Sequence, residues 1–224
     1  MTDFPFAIIG FDLDGTLVDS NRDLFPALNH TLHIAGREPV TAEATRQLIG
    51  GGARLMLARA MELTGDPVEE DEIERLYSHY IEYYQAHIAD HTVPFEGCLP
   101  ALDQLAERGC TLAVITNKAE DLARKLLDQL GMTRRFASIM GGDTLEPGRS
   151  KPAPDMIEET ISRCQGSGRF AMIGDSTYDT RAAAAARVPS IALSFGYNDA
   201  PADQLGADRV IDHYDELIPA LEGL

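Results

Sequence analysis

Two acidic residues, Asp12 and Asp14, stand two positions apart directly after an apolar run, and Gly15 follows them. An aspartate can attack phosphorus and carry an aspartyl-phosphate. A second carboxyl two residues on can protonate the leaving alcohol and then activate water against that intermediate. Carboxylates this close repel, so a divalent cation, a shared proton or a cationic side chain must offset them. A hard, oxygen-binding ion such as Mg²⁺ suits the pair best. Gly15 permits close approach of the backbone to a phosphate, where loop N–H groups can form an anion nest. The same residues also suit a plain strand exit and turn, so the rest of the chain has to decide.

Three later segments bear on that choice. Thr116, Asn117 and Lys118 follow the apolar stretch 111–115; a hydroxyl and an amide there can donate to a phosphate oxygen, or cap the next helix. Asp175 and Asp179 follow the apolar stretch 170–174 and add two carboxylates. Asp175 can complete a metal's oxygen shell, and Asp179 can orient a neighbour or cap a helix. Lys151 lies beside Pro152 and Pro154, whose rings stiffen its loop, and lysines occur elsewhere only at 118 and 125. A rigidly presented ammonium is a compact partner for phosphate.

These groups need a scaffold that delivers them to one edge. Residues 6–10 read as a buried parallel strand, as do 111–116, 136–140, 170–174 and 190–194, with a further strand at 209–212. Helical patterns at 100–108, 119–130, 155–164 and 180–187 alternate with them. That alternation predicts an α/β fold with a parallel, Rossmann-like sheet. In such sheets ligands bind beyond the carboxyl ends of strands, where all the acids above fall. From 19 to 95 the pattern is helical with no strand, giving helices at about 23–35, 41–49, 53–64 and from 69 onward. This stretch predicts an inserted all-helical bundle.

Composition excludes several classes. With 36 acidic against 19 basic residues and a net charge of −17, the 224-residue chain lacks the positive surface that nucleic acid or an anionic membrane requires. No apolar run reaches the length of a membrane span, and the start of the chain lacks the basic region of a signal peptide. Cys98, Cys110 and Cys164, odd in number and without CxxC spacing, fit a reducing, cytoplasmic setting.

The four segments, in this order, resemble the motif set of the haloacid dehalogenase-like (HAD) hydrolase superfamily: Asp-x-Asp-Gly-Thr, a strand-end Thr, a Lys, and Gly-Asp-x-x-x-Asp. The resemblance implies a Rossmann-like catalytic core of residues 1–18 and 94–224, and a substrate-selecting helical cap of residues 19–93. It makes Asp12 the nucleophile and Asp14 the general acid/base. Mg²⁺ would bind the Asp12 carboxylate, the Asp14 carbonyl and Asp175. Thr116, Asn117 and Lys151 would hold the phosphoryl group, with Asp179 supporting Lys151 or the metal shell. Family dehalogenases lack a carboxylate at the position of Asp14, and a cap without lysine cannot form the Schiff base of the phosphonatases. A phosphatase for a small phosphorylated metabolite remains, acting as monomer or homodimer.

Within the superfamily, residues 17–20, 49–54, 116–118 and 194–198 look like those of bacterial phosphatases for 2-phosphoglycolate. Tyr178 departs from the Asn frequent there. Amino-sugar phosphate phosphatases share several of these features, and a β-phosphoglucomutase-like mutase shares every catalytic residue. Arg54, after three glycines, could pair bidentately with a substrate carboxylate. His87 and His91, four apart, lack the third ligand of a zinc helix.

Overall fold

The computed structural model describes residues 4–164 and 168–224. The signal-peptide reading rests partly on Met1–Asp3, which lie outside them. A six-stranded parallel sheet forms from β1 (Ile8–Phe11), β4 (Thr111–Ile115), β5 (Ser138–Met140), β6 (Phe170–Gly174), β7 (Ser190–Leu193) and β8 (Arg209–Ile211), in the order β5-β4-β1-β6-β7-β8. The order reverses at β1: the chain builds outward to β5 on one side, then returns to build β6, β7 and β8 on the other. A reversal of this kind opens a crevice at the strand ends. All four residues of β1 are buried, as a central strand covered on both faces requires.

Strand pleating divides the core. Ile8, Ile115, Met140 and Met172 face Met156 and Ile157 of α7 (Asp155–Arg163) and Ala182 and Ala183 of α8 (Thr177–Ala186). On the opposite face Ile9, Phe11, Val114 and Ile173 share a larger cluster with α5 (Cys98–Glu107), α6 (Glu120–Gln129) and α9 (Leu217–Glu222). The Ala run in α8 is small enough for that helix to lie close against the sheet.

Between β1 and α5 the chain leaves the sheet. It forms a two-stranded antiparallel ribbon of β2 (Val18–Asp19) and β3 (Val93–Pro94), enclosing α1 (Asn21–Ile34), α2 (Ala42–Leu48), α3 (Ala53–Thr64) and α4 (Glu70–Ala86). The expectation of a strand-free insert is thus corrected at its two ends, where two-residue strands are too short to leave an alternating pattern. The cluster containing Leu28, Leu57, Leu76 and Tyr80 binds the four helices together. Asp23, buried in α1, accepts from the backbone N–H of His91 and Thr92 and from the Thr92 hydroxyl, tying the insert's first helix to its exit. Tyr197 fastens the entry: its hydroxyl accepts from Asn21 N at 2.8 Å and donates to Asp19 at 2.6 Å.

Three helices begin earlier than their patterns predict: α1 at Asn21, α5 at Cys98 and α8 at Thr177. α8 starts at Thr177 rather than 180, because Ser176 and Asp179 form a reciprocal capping box. His87 Nδ1 lies 2.7 Å from Asp90 rather than facing His91. No helix among the described residues is long and apolar enough to cross a membrane.

Candidate active site

Sheet register brings the chemistry together. Phe11 is level with Val114 on one side and Ile173 on the other, so Asp12, Thr116 and Asp175 leave their strands within a residue of one level. Asp12 is buried, and Lys151 Nζ lies 2.8 Å from its Oδ1. That contact is ionic without hydrogen-bond alignment, and Asp12 Oδ1 has no hydrogen-bond partner. Lys151 also donates to Asp179 Oδ1 at 2.6 Å, in a pair whose side chains are both 1% exposed.

Asp179 is the anchor of this group. Its Oδ2 accepts from the N–H of Asp175 and Ser176 and from the Ser176 hydroxyl. A Cβ on Gly174 would sit 2.3 Å from the Asp179 side chain, so only glycine lets the carboxylate fold back over the strand end. Asp175 accepts from Thr16 Oγ1 at 2.8 Å and from Tyr197 N at 2.5 Å.

One carboxylate oxygen each from Asp12, Asp175 and Asp179 lies within 4.8 Å of the others, all three buried. One ammonium faces three carboxylates, and the imbalance appears in their acidities. Burial pushes the Asp12 carboxyl up to about 6 against the pull of Lys151. Burial, then the charges of Asp12 and Asp179, holds Asp175 well above the usual carboxylate range. Burial alone would lower Lys151, but Asp12 and Asp179 outweigh it and raise its pKa. Surplus negative charge, an unaligned buried carboxylate oxygen and hard donors fit a divalent cation. Asp12 Oδ1 is the free donor of the three, since both oxygens of Asp175 and both of Asp179 already accept hydrogen bonds, and Asp179 is further held by its ion pair with Lys151.

Asp14 belongs to a separate arrangement. Its oxygens receive Lys118 Nζ at 3.0 and 2.8 Å, and Ser20 donates to Oδ1 at 2.6 Å. Lys118 is nearly buried, and its ammonium stands 4.6 Å from the centre of the Tyr84 ring. Asp12 and Asp14 both line a cavity of about 220 Å³, together with Gly50–Arg54, Tyr77, Tyr80, Tyr84, Thr116, Asn117 and Lys118.

Three expected binding residues have other partners. Gly15 adopts φ +87°, but its N–H donates to Val18 O, and a Cβ there would lie 2.3 Å from Asp175 Oδ2. Its place is explained by turn geometry and room for Asp175, rather than by a free N–H for phosphate. Asn117 donates to Gly50 O at 2.9 Å and Lys151 O at 3.0 Å, so its amide joins the insert's glycine loop to the lysine loop instead of offering donors to phosphate. Arg54 makes a bidentate pair with Glu74 at 2.5 and 3.0 Å and stacks on Tyr77, with its side chain 55% exposed. Thr116 accepts from Lys118 N at 3.2 Å, which leaves its hydroxyl proton for another acceptor.

Sequence reasoning missed Lys118 and Ser20 as partners of Asp14, and Thr16 and Tyr197 as partners of Asp175. Lys118 carried a signal, being one of three lysines and next to a strand end. The other three sit in loops whose approach depends on tertiary closure.

An α/β sheet with acids and a buried lysine converging at its reversal point, under a helical insert, defines a class of hydrolase. The family model for haloacid dehalogenase-like hydrolases matches residues 9–193. The chain is 46% identical over 218 residues to a phosphoglycolate phosphatase of Agrobacterium fabrum, covering 97% of this chain and 92% of that protein. It is 38% identical to one of Caulobacter vibrioides, with coverage of 95% and 89%. Among solved structures, a predicted phosphoglycolate phosphatase from Haemophilus somnus superposes with a TM-score of 0.88 at 27% identity, covering 96% of this chain and 98% of that one. The chain belongs to the haloacid dehalogenase-like hydrolase family. Within that family it is a phosphoric monoester hydrolase.

Proposed function

We propose that the protein hydrolyses 2-phosphoglycolate through a phosphorylated Asp12, with Mg²⁺ as cofactor. The observation that carries this reading is the different setting of the two carboxylates: Asp12 against Lys151 among the acids, Asp14 against Lys118 and Ser20 in the cavity. Two carboxyl groups in unlike surroundings can divide nucleophile and acid/base roles. An Asp12 oxygen attacks phosphorus as the ester P–O bond breaks, and the Asp14 carboxyl gives its proton to the departing alkoxide. Asp14 then takes a proton from water as the water oxygen attacks phosphorus, which releases phosphate and restores Asp12.

Lys151, steadied by Asp179, sets a positive charge beside the nucleophile. The Asp12 and Asp175 carboxylates and the Asp14 carbonyl would hold Mg²⁺, which supplies charge stabilisation to the phosphoryl oxygens. Residues 19–93 act as a cap that excludes water, and the Asn117 amide links cap position to the lysine loop. A cavity of about 220 Å³ beside Asp12 and Asp14 has room for a small phosphate ester. The three unpaired cysteines suit a reducing cytoplasm.

Phosphate release from phosphoglycolate, hexose phosphates and nucleoside monophosphates, with Mg²⁺, with EDTA and with Asp12→Asn, tests the reading. Preference for phosphoglycolate, lost with EDTA and with Asp12→Asn, is expected. Isomerisation of a hexose phosphate without phosphate release would overturn it in favour of a mutase.

A further inference from the structure

The wall of the cavity beside Asp14 carries a buried hydroxyl that phosphoryl transfer does not use, next to the ammonium that partners Asp14. Tyr84, on α4 of the insert, is 1% exposed, yet its hydroxyl has no hydrogen-bond partner among the described residues. An unpartnered buried hydroxyl is costly and marks a place for a polar ligand group. Beside its ring stands the Lys118 ammonium, which reaches both oxygens of Asp14. Arg54, the other cation in the cavity wall, is half exposed and already engaged bidentately by Glu74.

We propose that Lys118 and the Tyr84 hydroxyl form the subsite for the carboxylate of the substrate's leaving group, and so determine specificity for a phosphorylated α-hydroxy acid. The proposal deepens the functional reading above and rests on it. To transfer a proton, Asp14 must come within about 2.6–3.2 Å of the ester oxygen. Lys118 Nζ is 2.8 Å from Asp14, so a carboxylate one carbon away from that ester oxygen falls within reach of the same ammonium. An ammonium has three donors and can serve Asp14 and the substrate together. Burial raises the Tyr84 pKa well above its ordinary value, so the phenol remains a neutral donor. Lys118 follows β4 of the core and Tyr84 belongs to the insert, so the subsite is complete only when the two are together.

The test compares kcat/KM for phosphoglycolate and for ethyl phosphate, which has a similar length and no carboxylate. Wild type, Lys118→Met, Lys118→Arg and Tyr84→Phe are measured with Mg²⁺. Loss of Asp14's partner affects both esters alike, so the ratio between them is the informative quantity. Tyr84→Phe, which keeps the ring and its packing, should lower the phosphoglycolate preference about tenfold, and Lys118→Met about a hundredfold, the range expected for hydrogen bonds to a charged group. Lys118→Arg, which keeps the charge, should retain more of the preference than Lys118→Met. Variants that lose both activities equally would overturn the subsite while leaving the substrate reading intact. A wild-type enzyme with no preference for phosphoglycolate over ethyl phosphate would overturn both.

Discussion

Asp12→Asn should inactivate the enzyme and, in the absence of divalent cation, stabilise it. The folded protein raises the Asp12 carboxyl from an ordinary value of 3.8 to about 6, chiefly by burial. A raised acid pKa means that the charged form is penalised in the fold. The penalty is absent below the unfolded pKa, grows as pH rises through the window from about 4 to 6, and is complete above it. Its size corresponds to about 3 kcal/mol at pH 7.5, on the order of 1.4 kcal/mol per pH unit. Asparagine carries no charge and escapes the penalty. In EDTA at pH 7.5 the variant should therefore unfold at higher urea than wild type, by up to about 3 kcal/mol, with the gap closing toward pH 4. Mg²⁺ should reverse the order once it is well above saturation, because an ion at about a thousand times its Kd adds roughly 4.1 kcal/mol to the form that binds it. Paired urea titrations at pH 4, 5, 6 and 7.5, with EDTA and with Mg²⁺, supply the comparison. Equal stability of the two proteins in EDTA at pH 7.5 would refute the claim that the acid cluster is held together against its own charge.

Other perturbations test the scaffold. Gly174→Ala places a Cβ 2.3 Å from the Asp179 side chain and should displace the anchor of Lys151, lowering kcat by about a hundredfold in a steady-state assay. Asp23→Ala leaves two N–H groups and one hydroxyl at the insert's exit without their acceptor, a loss of about 3 kcal/mol. Calorimetry should show Tm lower by roughly 6–12 °C. Burial pushes the Cys98 thiol up to about 12 and Cys110 to about 11, so iodoacetamide at pH 8 should label the less buried Cys164 first, as peptide mass spectrometry will show.

Much of the fold could be read from apolar runs, because a parallel sheet covered on both faces leaves continuous hydrophobic strands. β6 lies at 170–174 and α3 at 53–64, where the pattern places them. The ribbon of β2 and β3 could not be read, since two residues per strand carry no periodicity and their pairing joins positions far apart in the chain. The acids were legible for a related reason: Asp12 and Asp14 follow β1, Asp175 and Asp179 follow β6, and the register of those two strands brings the pairs to one edge. Partner choice was not. Asn117 and Arg54 have the right chemistry for phosphate and carboxylate, but Gly50 O, Lys151 O and Glu74 reach them first, through contacts that only the packed insert creates. The start of α8 was misplaced because Asp179 reads as the cap preceding a helix from 180, whereas it lies inside the first turn and caps reciprocally with Ser176.

The ribbon has a meaning beyond holding the insert in place. Because the chain leaves at Val18–Asp19 and returns at Val93–Pro94 as hydrogen-bonded neighbours, everything between is a graft with both ends on one stem. Helices on that graft can be lengthened, shortened or exchanged without disturbing the register of β1 with β4 and β6. On the function proposed above, the strands carry the reaction and the helices the choice of substrate, so each part is free to change at its own pace.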